Sequence, residues 1–348
     1  MVQPIGIGLV GAGIIGNVHA YAFSEIEGAK IVGVAEPRED AGRALAEKTG
    51  ATWYASFVEL LENPEVELIV LGTPSGMHPD QAILAARAGK HVITEKPMAI
   101  TPEGATRMID AAEAANVYLA VIFQNRLSPD VVRVKRAIEA GYIGRPIFGN
   151  AFVHWYRSQD YYDANGGWRG TWALDGGGAL INQSIHTIDL LQWILGGVDT
   201  VQAHTATLSH DIEAEDAGSA SIKFLSGALG VIQGSTATVG DAPVKVEIVG
   251  DKGTVVLEGG EVTSWKGTHE LSDDLLTEED RALTDGWRAD EDFGEPHRRQ
   301  FRRIIEEIQR NGNPPFSGNE ARKAVDLILS IYESARTGTR VTVPRGKV

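Results

Sequence analysis

Between Ile5 and Glu36 the chain reads IGIGLVGAGIIGNVHAYAFSEIEGAKIVGVAE, and this stretch constrains the fold more than any other. An apolar run (Ile5, Ile7, Leu9, Val10) ends at Gly11-Ala12-Gly13-Ile14-Ile15-Gly16; a helical pattern follows, and a second apolar strand closes on Glu36. Glycines alone punctuate many turns. G-x-G-x-x-G set between a strand and a helix, with an acid ending the next strand, reads as a dinucleotide-binding βαβ unit. Gly11 permits the tight turn, Gly13 lets the backbone approach a diphosphate, and Gly16 lets helix and strand pack closely. The helix N-terminus at Ile14 and Ile15 offers N–H groups and partial positive charge to that diphosphate. Glu36, twenty positions beyond Gly16, is placed to accept hydrogen bonds from the adenosine ribose.

Strand and helix patterns then alternate. Helices are expected at Glu39–Thr49, Phe57–Leu61, Pro79–Ala88 and Pro102–Ala115, and strands at Thr52–Tyr54, Leu68–Gly72, His91–Thr94 and Val117–Phe123. Six strands with intervening helices describe a doubly wound parallel sheet, in which ligands sit at the carboxyl ends of the strands. Those ends carry Gly11–Gly16, Glu36, Thr73-Pro74-Ser75-Gly76-Met77-His78, Glu95-Lys96-Pro97 and Gln124-Asn125-Arg126.

From about Arg126 the pattern changes. A helix (Pro129–Ala140), a strand (Pro146–Tyr156), an aromatic and Gly-rich loop, and one helix over Ala179–Leu195 precede extended segments at Thr200–Leu208, Gly218–Phe224, Leu229–Thr236, Val244–Val249 and Thr254–Glu258. Asp251-Lys252-Gly253 reads as a hairpin turn. The acidic segment Leu271–Asp292 reads as an exposed excursion, and helices His297–Arg310 and Asn319–Thr337 end the chain. The expected organisation is an α/β Rossmann domain over 1–125 and an α+β domain over 126–348, the latter built on an open, mostly antiparallel sheet.

At 348 residues the chain can bury two cores. Its net charge of −15 disfavours nucleic acid and anionic membranes as partners. With no cysteine, disulfides, thiolate metal sites and thiol catalysis are excluded. No segment reads as a membrane span, and MVQPIGIG has no basic, cleavable start, so a cytoplasmic location is expected.

Two stretches could do chemistry. Lys96 ends a parallel strand before a proline, which restricts it to extended backbone. There it either hydrogen-bonds a substrate hydroxyl and steadies alkoxide character as hydride leaves, or it pairs with Glu95 or another acid. The second stretch is Trp168–Asp189, WRGTWALDGGGALINQSIHTID. On one regular helix Asn182, His186 and Asp189 would share a face. His186 titrates in the range suited to taking a hydroxyl proton, with Asn182 on the substrate or orienting the imidazole; a helix histidine is as readily a structural one. A metal at His78, His186 and Asp189 has no supporting spacing, and none is expected. His78 suits a structural or cofactor-side role.

These pieces together resemble the glucose–fructose oxidoreductase/inositol dehydrogenase/MocA family: Gly11–Gly16, TPSGMH at 73–78, EKP at 95–97 and DGGGALINQSIHTIDLLQW at 175–193. The hairpin at 245–259 and the tail at 317–344 match as well. The resemblance implies NAD(P)-dependent hydride transfer at a carbinol or ketone of a sugar, cyclitol or sugar derivative. It also implies a homodimer or homotetramer, and Lys96 and His186 as the catalytic pair. Many inositol dehydrogenases of the family carry Asp where this chain has Asn182, which resembles branches acting on other sugars and sugar nucleotides. Expected cofactor contacts are Gly11, Gly13, Ile14, Ile15, Gly16, Glu36, Arg38, Thr73, Pro74, His78, Glu95 and Lys96. Glu36 repels a 2′-phosphate and favours NAD; Arg38 leaves NADP open. Expected substrate contacts are Lys96, Arg126, Arg157, Trp168, Arg169, Trp172, Asn182 and His186. The resemblance also admits two other functions found within the family: an NAD-dependent glycosidase that oxidises its sugar transiently, and a non-catalytic nucleotide or sugar sensor.

Overall fold

The computed structural model describes residues 3–240, 242–284, 294–312 and 315–345. Contacts divide the chain into two units, the described residues of Met1–Ala99, Glu103–Gln124 and Asp290–Glu320, and those of Ile100–Pro102, Asn125–Ala289 and Ala321–Val348. A single cut after residue 125 therefore does not describe the chain, because the helix Gly294–Arg310 belongs with the first unit.

The first unit is built on a parallel sheet of β1 (Ile5–Val10), β2 (Ala29–Ala35), β3 (Thr52–Tyr54), β4 (Leu68–Leu71), β5 (His91–Thr94) and β6 (Leu119–Val121). Their order, β3-β2-β1-β4-β5-β6, is that of a dinucleotide-binding sheet, in which the order of strand addition reverses between β1 and β4 while all strands stay parallel. β1 and β4 are buried at every residue, as strands covered by helices on both faces must be. The helix Gly294–Arg310 packs Phe301, Ile304 and Ile305 into the same core, with Phe301 stacked on Phe23 at 4.4 Å. It also closes the end of β6. The Gln300 carboxamide donates to the Val121 carbonyl (2.7 Å) and accepts from the Phe123 N–H (3.1 Å).

The second unit holds a mixed sheet of β7 (Pro146–His154), β8 (Val198–Ala206), β9 (Ala217–Phe224), β10 (Leu229–Ser235), β11 (Lys245–Gly250), β12 (Thr254–Glu258), β13 (Glu261–Lys266) and β14 (Val341–Thr342). The order is β13-β12-β11-β7-β10-β9-β8-β14, and β7 with β10 is its parallel pair. One face is covered by the helix Ile185–Leu195. A Cβ on Gly149 would lie 2.2 Å from Leu195, so glycine there permits the helix to approach β7.

Three sequence expectations change. The single helix over Ala179–Leu195 is two elements, a π-helical turn at Ala179–Gln183 and an α-helix at Ile185–Leu195. Ser184 marks the junction, its N–H (3.0 Å) and Oγ (2.8 Å) both donating to the Ala179 carbonyl. The acidic segment after Leu271 is not simply exposed. It forms the helix Glu278–Thr284, where Asp280 is buried against Arg136 at 3.1 Å; residues 285–292 lie outside the described residues. The aromatic loop contains the helical segment Gln159–Gly167, left-handed at Asn165 and Gly166.

Candidate active site

The first unit presents its cofactor elements at the carboxyl ends of β1, β2, β4 and β5. A Cβ on Gly16 would lie 2.1 Å from the Gly11 carbonyl oxygen, and one on Gly11, at φ +97°, would lie 2.9 Å from that of Gly72. A Cβ on Gly13 would meet nothing within 4 Å. The glycines at 11 and 16 thus serve internal packing, and the one at 13 borders the open space that a diphosphate requires. Gly13 is the N-cap of the helix Ile14–Phe23 and offers it no side-chain cap, so the first-turn N–H groups face outward for an anion. Ile14 stands beside them, 73% exposed, with Ile15 half-buried.

Glu36 is buried, and its Oε2 accepts the Ala12 N–H at 2.8 Å. Arg38 grips the same carboxylate, with Nε 2.9 Å from Oε1 and Nη2 3.1 Å from Oε2. Burial would raise the Glu36 pKa, but these bonds outweigh it and hold the carboxyl below its ordinary value. Arg38 is therefore committed to Glu36. These residues fit the adenosine end of a dinucleotide: a buried carboxylate, a bare glycine and helix N–H groups that no side chain caps.

His78 takes the structural one of its two expected roles, and Glu95 is turned toward buried partners. Both ring nitrogens of His78 face backbone carbonyls, Nδ1 that of Pro97 and Nε2 that of Thr73, each at 2.9 Å, and the residue is 1% exposed. It pins the loop after β4 to the loop after β5 and turns no ring nitrogen outward. Thr73, whose hydroxyl donates to Gln81 at 2.5 Å, and Pro74 form the half-buried rim of that loop. Glu95 is buried, its Oε1 facing His19 Nε2 at 3.0 Å and His297 Nε2 at 3.7 Å. Its Oε2 accepts the Lys96 N–H at 3.1 Å. Burial raises the Glu95 pKa, yet the hydrogen bond from His19 and the nearby His297 ring hold it well below the usual range. Among the described residues, His19, Glu95 and His297 are also the one set of three close donors of metal-ligating type. The His19–Glu95 separation is that of a hydrogen bond. Lys96 is half-buried, and its peptide bond to Pro97 is cis.

In the second unit the site residues cluster around Asp175-Gly176-Gly177-Gly178. Buried Glu215 accepts the N–H groups of Gly178 (3.0 Å) and Leu180 (2.8 Å) and the Tyr332 hydroxyl (2.8 Å). The Tyr332 oxygen in turn accepts the Ile181 N–H at 3.2 Å. These bonds satisfy the start of the π-turn that no side-chain cap serves, which is why the backbone departs here from one continuous α-helix. Burial pushes the Glu215 carboxyl up to about 7. Consequently Asn182, on the π-turn, and His186, on the α-helix, do not follow the regular spacing expected of them. His186 is half-buried.

Asp189 does not join them in presenting a polar face. It is 1% exposed, with its oxygens 2.7 and 2.6 Å from Nε and Nη2 of Arg126. Arg126, itself 5% exposed and over the Trp193 ring, is a structural ion pair and not the substrate contact expected from its position. Arg157 and Arg169 instead lie in an aromatic cluster. Arg157 sits 4.9 Å from the Trp155 ring centre and 5.5 Å from that of Tyr161; Arg169 sits 4.7 Å from both Tyr161 and Trp168. Trp172 is half-exposed, held by the Glu213 carbonyl at its Nε1 (3.1 Å) and edge-on to Tyr332.

Sequence reasoning missed His19, His297, Glu215 and Tyr332. No local pattern links residues 19, 95 and 297, and Glu215-Asp216 reads as an ordinary acidic strand start.

Two family models match the chain. Residues 5–123 match the oxidoreductase family with an NAD-binding Rossmann fold, and residues 131–256 match the GFO/IDH/MocA C-terminal domain. The chain is 37% identical to the WlbA dehydrogenase from Bordetella pertussis, whose crystal structure is a complex with NADH and UDP-GlcNAcA. The TM-score is 0.91, with 99% of each chain covered. The myo-inositol 2-dehydrogenase of Thermotoga maritima is 28% identical over 334 residues, covering 92% of this chain and 93% of that one. A levoglucosan dehydrogenase in complex with NADH and levoglucosan shares the fold at a TM-score of 0.85 and 23% identity, covering 99% of this chain and all of that one.

Proposed function

We propose, for a chain that belongs to the GFO/IDH/MocA family of NAD-binding oxidoreductases, that it oxidises a secondary hydroxyl on the sugar of a nucleotide-linked sugar acid of the UDP-GlcNAcA type. The observation that carries this substrate class is the 37% identity, over 99% of both chains, to a dehydrogenase that binds UDP-GlcNAcA; the similarity to an inositol dehydrogenase is 28%. Two features of the second unit support it. Arg157 and Arg169, stacked on Trp155, Tyr161 and Trp168, offer planar cations of the kind that grip carboxylate or diphosphate oxygens in pairs. Asn182 stands where, by the family resemblance, many inositol dehydrogenases have an acid.

His186 takes the proton of the reacting hydroxyl as general base. Lys96 steadies the negative charge that develops on the substrate as hydride leaves. Trp168 and Trp172 present ring faces to the apolar side of the sugar. Gly13 and the N–H groups of Ile14 and Ile15 hold the dinucleotide diphosphate, and Glu36 holds the adenosine ribose and excludes a 2′-phosphate. The nicotinamide, when bound, supplies the hydride acceptor. The open face of the eight-stranded sheet, with Phe148 44% and Leu229 51% exposed on paired positions, is the surface we assign to a homodimer or homotetramer.

The test is formation of reduced cofactor from NAD with UDP-GlcNAcA, UDP-GlcNAc and myo-inositol in turn. Turnover on UDP-GlcNAcA that disappears in Lys96→Ala and His186→Ala is expected. Turnover on myo-inositol alone would sink the substrate class, and near-normal turnover by Lys96→Ala would remove the lysine from the mechanism.

A further inference from the structure

Asn182 holds no charge, yet a carboxylate stands directly behind it. Asp175, seven residues earlier and 1% exposed, accepts the Asn182 Nδ2 at 2.5 Å with its Oδ1. With its Oδ2 it accepts the N–H of Gly170 at 2.9 Å. Gly170 lies in the loop that carries Trp168, Arg169 and Trp172, and its own carbonyl accepts the Ala214 N–H at 2.9 Å. One buried carboxylate therefore touches both the π-turn and the aromatic loop.

A carboxamide has one donor end and one acceptor end of nearly equal size, so packing alone fixes its direction poorly. An ionised carboxylate is an acceptor only. Both Asp175 oxygens accept here, so Asn182 turns its Nδ2 inward and its Oδ1 the other way. Gln183 agrees with that direction: its Nε2 donates to Asn182 Oδ1 at 2.7 Å and to the Tyr161 hydroxyl oxygen at 2.8 Å. The run Gly170–Asp175–Asn182–Gln183–Tyr161 is thus consistent in donor and acceptor sense at every link, and it ends on the ring against which both Arg157 and Arg169 lie.

We propose that Asp175 is a positioning residue of the site: its carboxylate fixes the Asn182 carboxamide with the oxygen as its outward acceptor and ties that direction to the Trp168–Trp172 loop. Substrates with a hydroxyl or amide donor opposite Asn182 are thereby preferred over those with an acceptor. This rests on the dehydrogenase reading above for its substrate, but the pairing itself does not.

The experiment compares Asp175→Asn, Asn182→Asp and the exchange Asp175→Asn/Asn182→Asp, with NAD and UDP-GlcNAcA as probes. In Asp175→Asn the inward partner no longer dictates the direction of Asn182. The value of kcat/KM is expected to fall about tenfold or more, the scale of one charge-assisted hydrogen bond, with NAD affinity unchanged. In Asn182→Asp two carboxylates are held at contact and must share a proton, so thermal stability should fall steeply as pH rises through neutrality. The exchange restores every link. The amide now at position 175 accepts from Gly170 and donates to the carboxylate now at position 182, whose second oxygen stays outward as the acceptor. Activity and the flat pH profile should therefore return together, an outcome that a merely space-filling Asp175 would not produce.

Wild-type kcat/KM in Asp175→Asn, or an exchange variant no better than the worse single variant, overturns the proposal. Should the wild type be silent on UDP-GlcNAcA, the substrate reading fails. The pairing is then decided by the melting curves, and an Asn182→Asp protein whose stability is indifferent to pH overturns it.

Discussion

Replacing Arg126 by Met should cost about 3–5 kcal/mol of stability, because it strands a carboxylate that has no access to water. Asp189 is 1% exposed, and Arg126 meets its two oxygens at 2.7 and 2.6 Å in a paired geometry. Gln192 adds only a contact at 3.3 Å to Oδ1. For a unit of this size, that cost corresponds to a fall in melting temperature of roughly 6–20 °C. The assay is urea unfolding of Arg126→Met, Asp189→Leu and the double variant. Each single variant leaves one buried charge uncompensated, whereas the double variant leaves none, so the two losses should not add. The double variant should be more stable than Arg126→Met. The reasoning is refuted if Arg126→Met unfolds within about 1 kcal/mol of the wild type, a cost ordinary for a point substitution. A raised KM with unchanged unfolding would return Arg126 to the substrate.

Gly16→Ala puts a Cβ 2.1 Å from a backbone oxygen that cannot move without the turn, so NAD affinity measured by titration should fall more than about tenfold; affinity within twofold would show that the turn adapts. Glu215, pushed up to about 7 by burial from an ordinary 4.5, keeps its proton in the folded state over a range where the unfolded chain has lost it. The folded state then binds more protons between about pH 4.5 and 7, and stability from this group falls as pH rises through that window. Glu215→Gln should flatten that part of the stability–pH curve; an unchanged slope would mean that the carboxyl titrates normally.

What the sequence determined by itself was whatever is written locally. The strand–glycine–helix unit from Ile5 to Glu36 is contiguous, and the close approach of Gly16 to Gly11 lies within its one turn, so a parallel Rossmann sheet could be read from the local pattern. The hairpin at Asp251-Lys252-Gly253 was legible for the same reason. The short strand Glu261–Lys266 was not. It is an edge strand with four of its six residues exposed, and its alternation is too weak to stand out. Tertiary structure decided the polar interior. Periodicity places a side chain on a face but cannot say what meets it there. The spacing of Asn182, His186 and Asp189 suggested one catalytic stripe, whereas Glu215 and Tyr332 reshape the backbone around the first of them, and Arg126 claims the third. His19, Glu95 and His297 come from the two ends and the middle of the unit's sequence, and only the packing of the helix Gly294–Arg310 into the first core brings them together. Buried polar groups must find partners wherever the fold offers them, and those partners lie far away in sequence because the fold, not the local chain, removes the water.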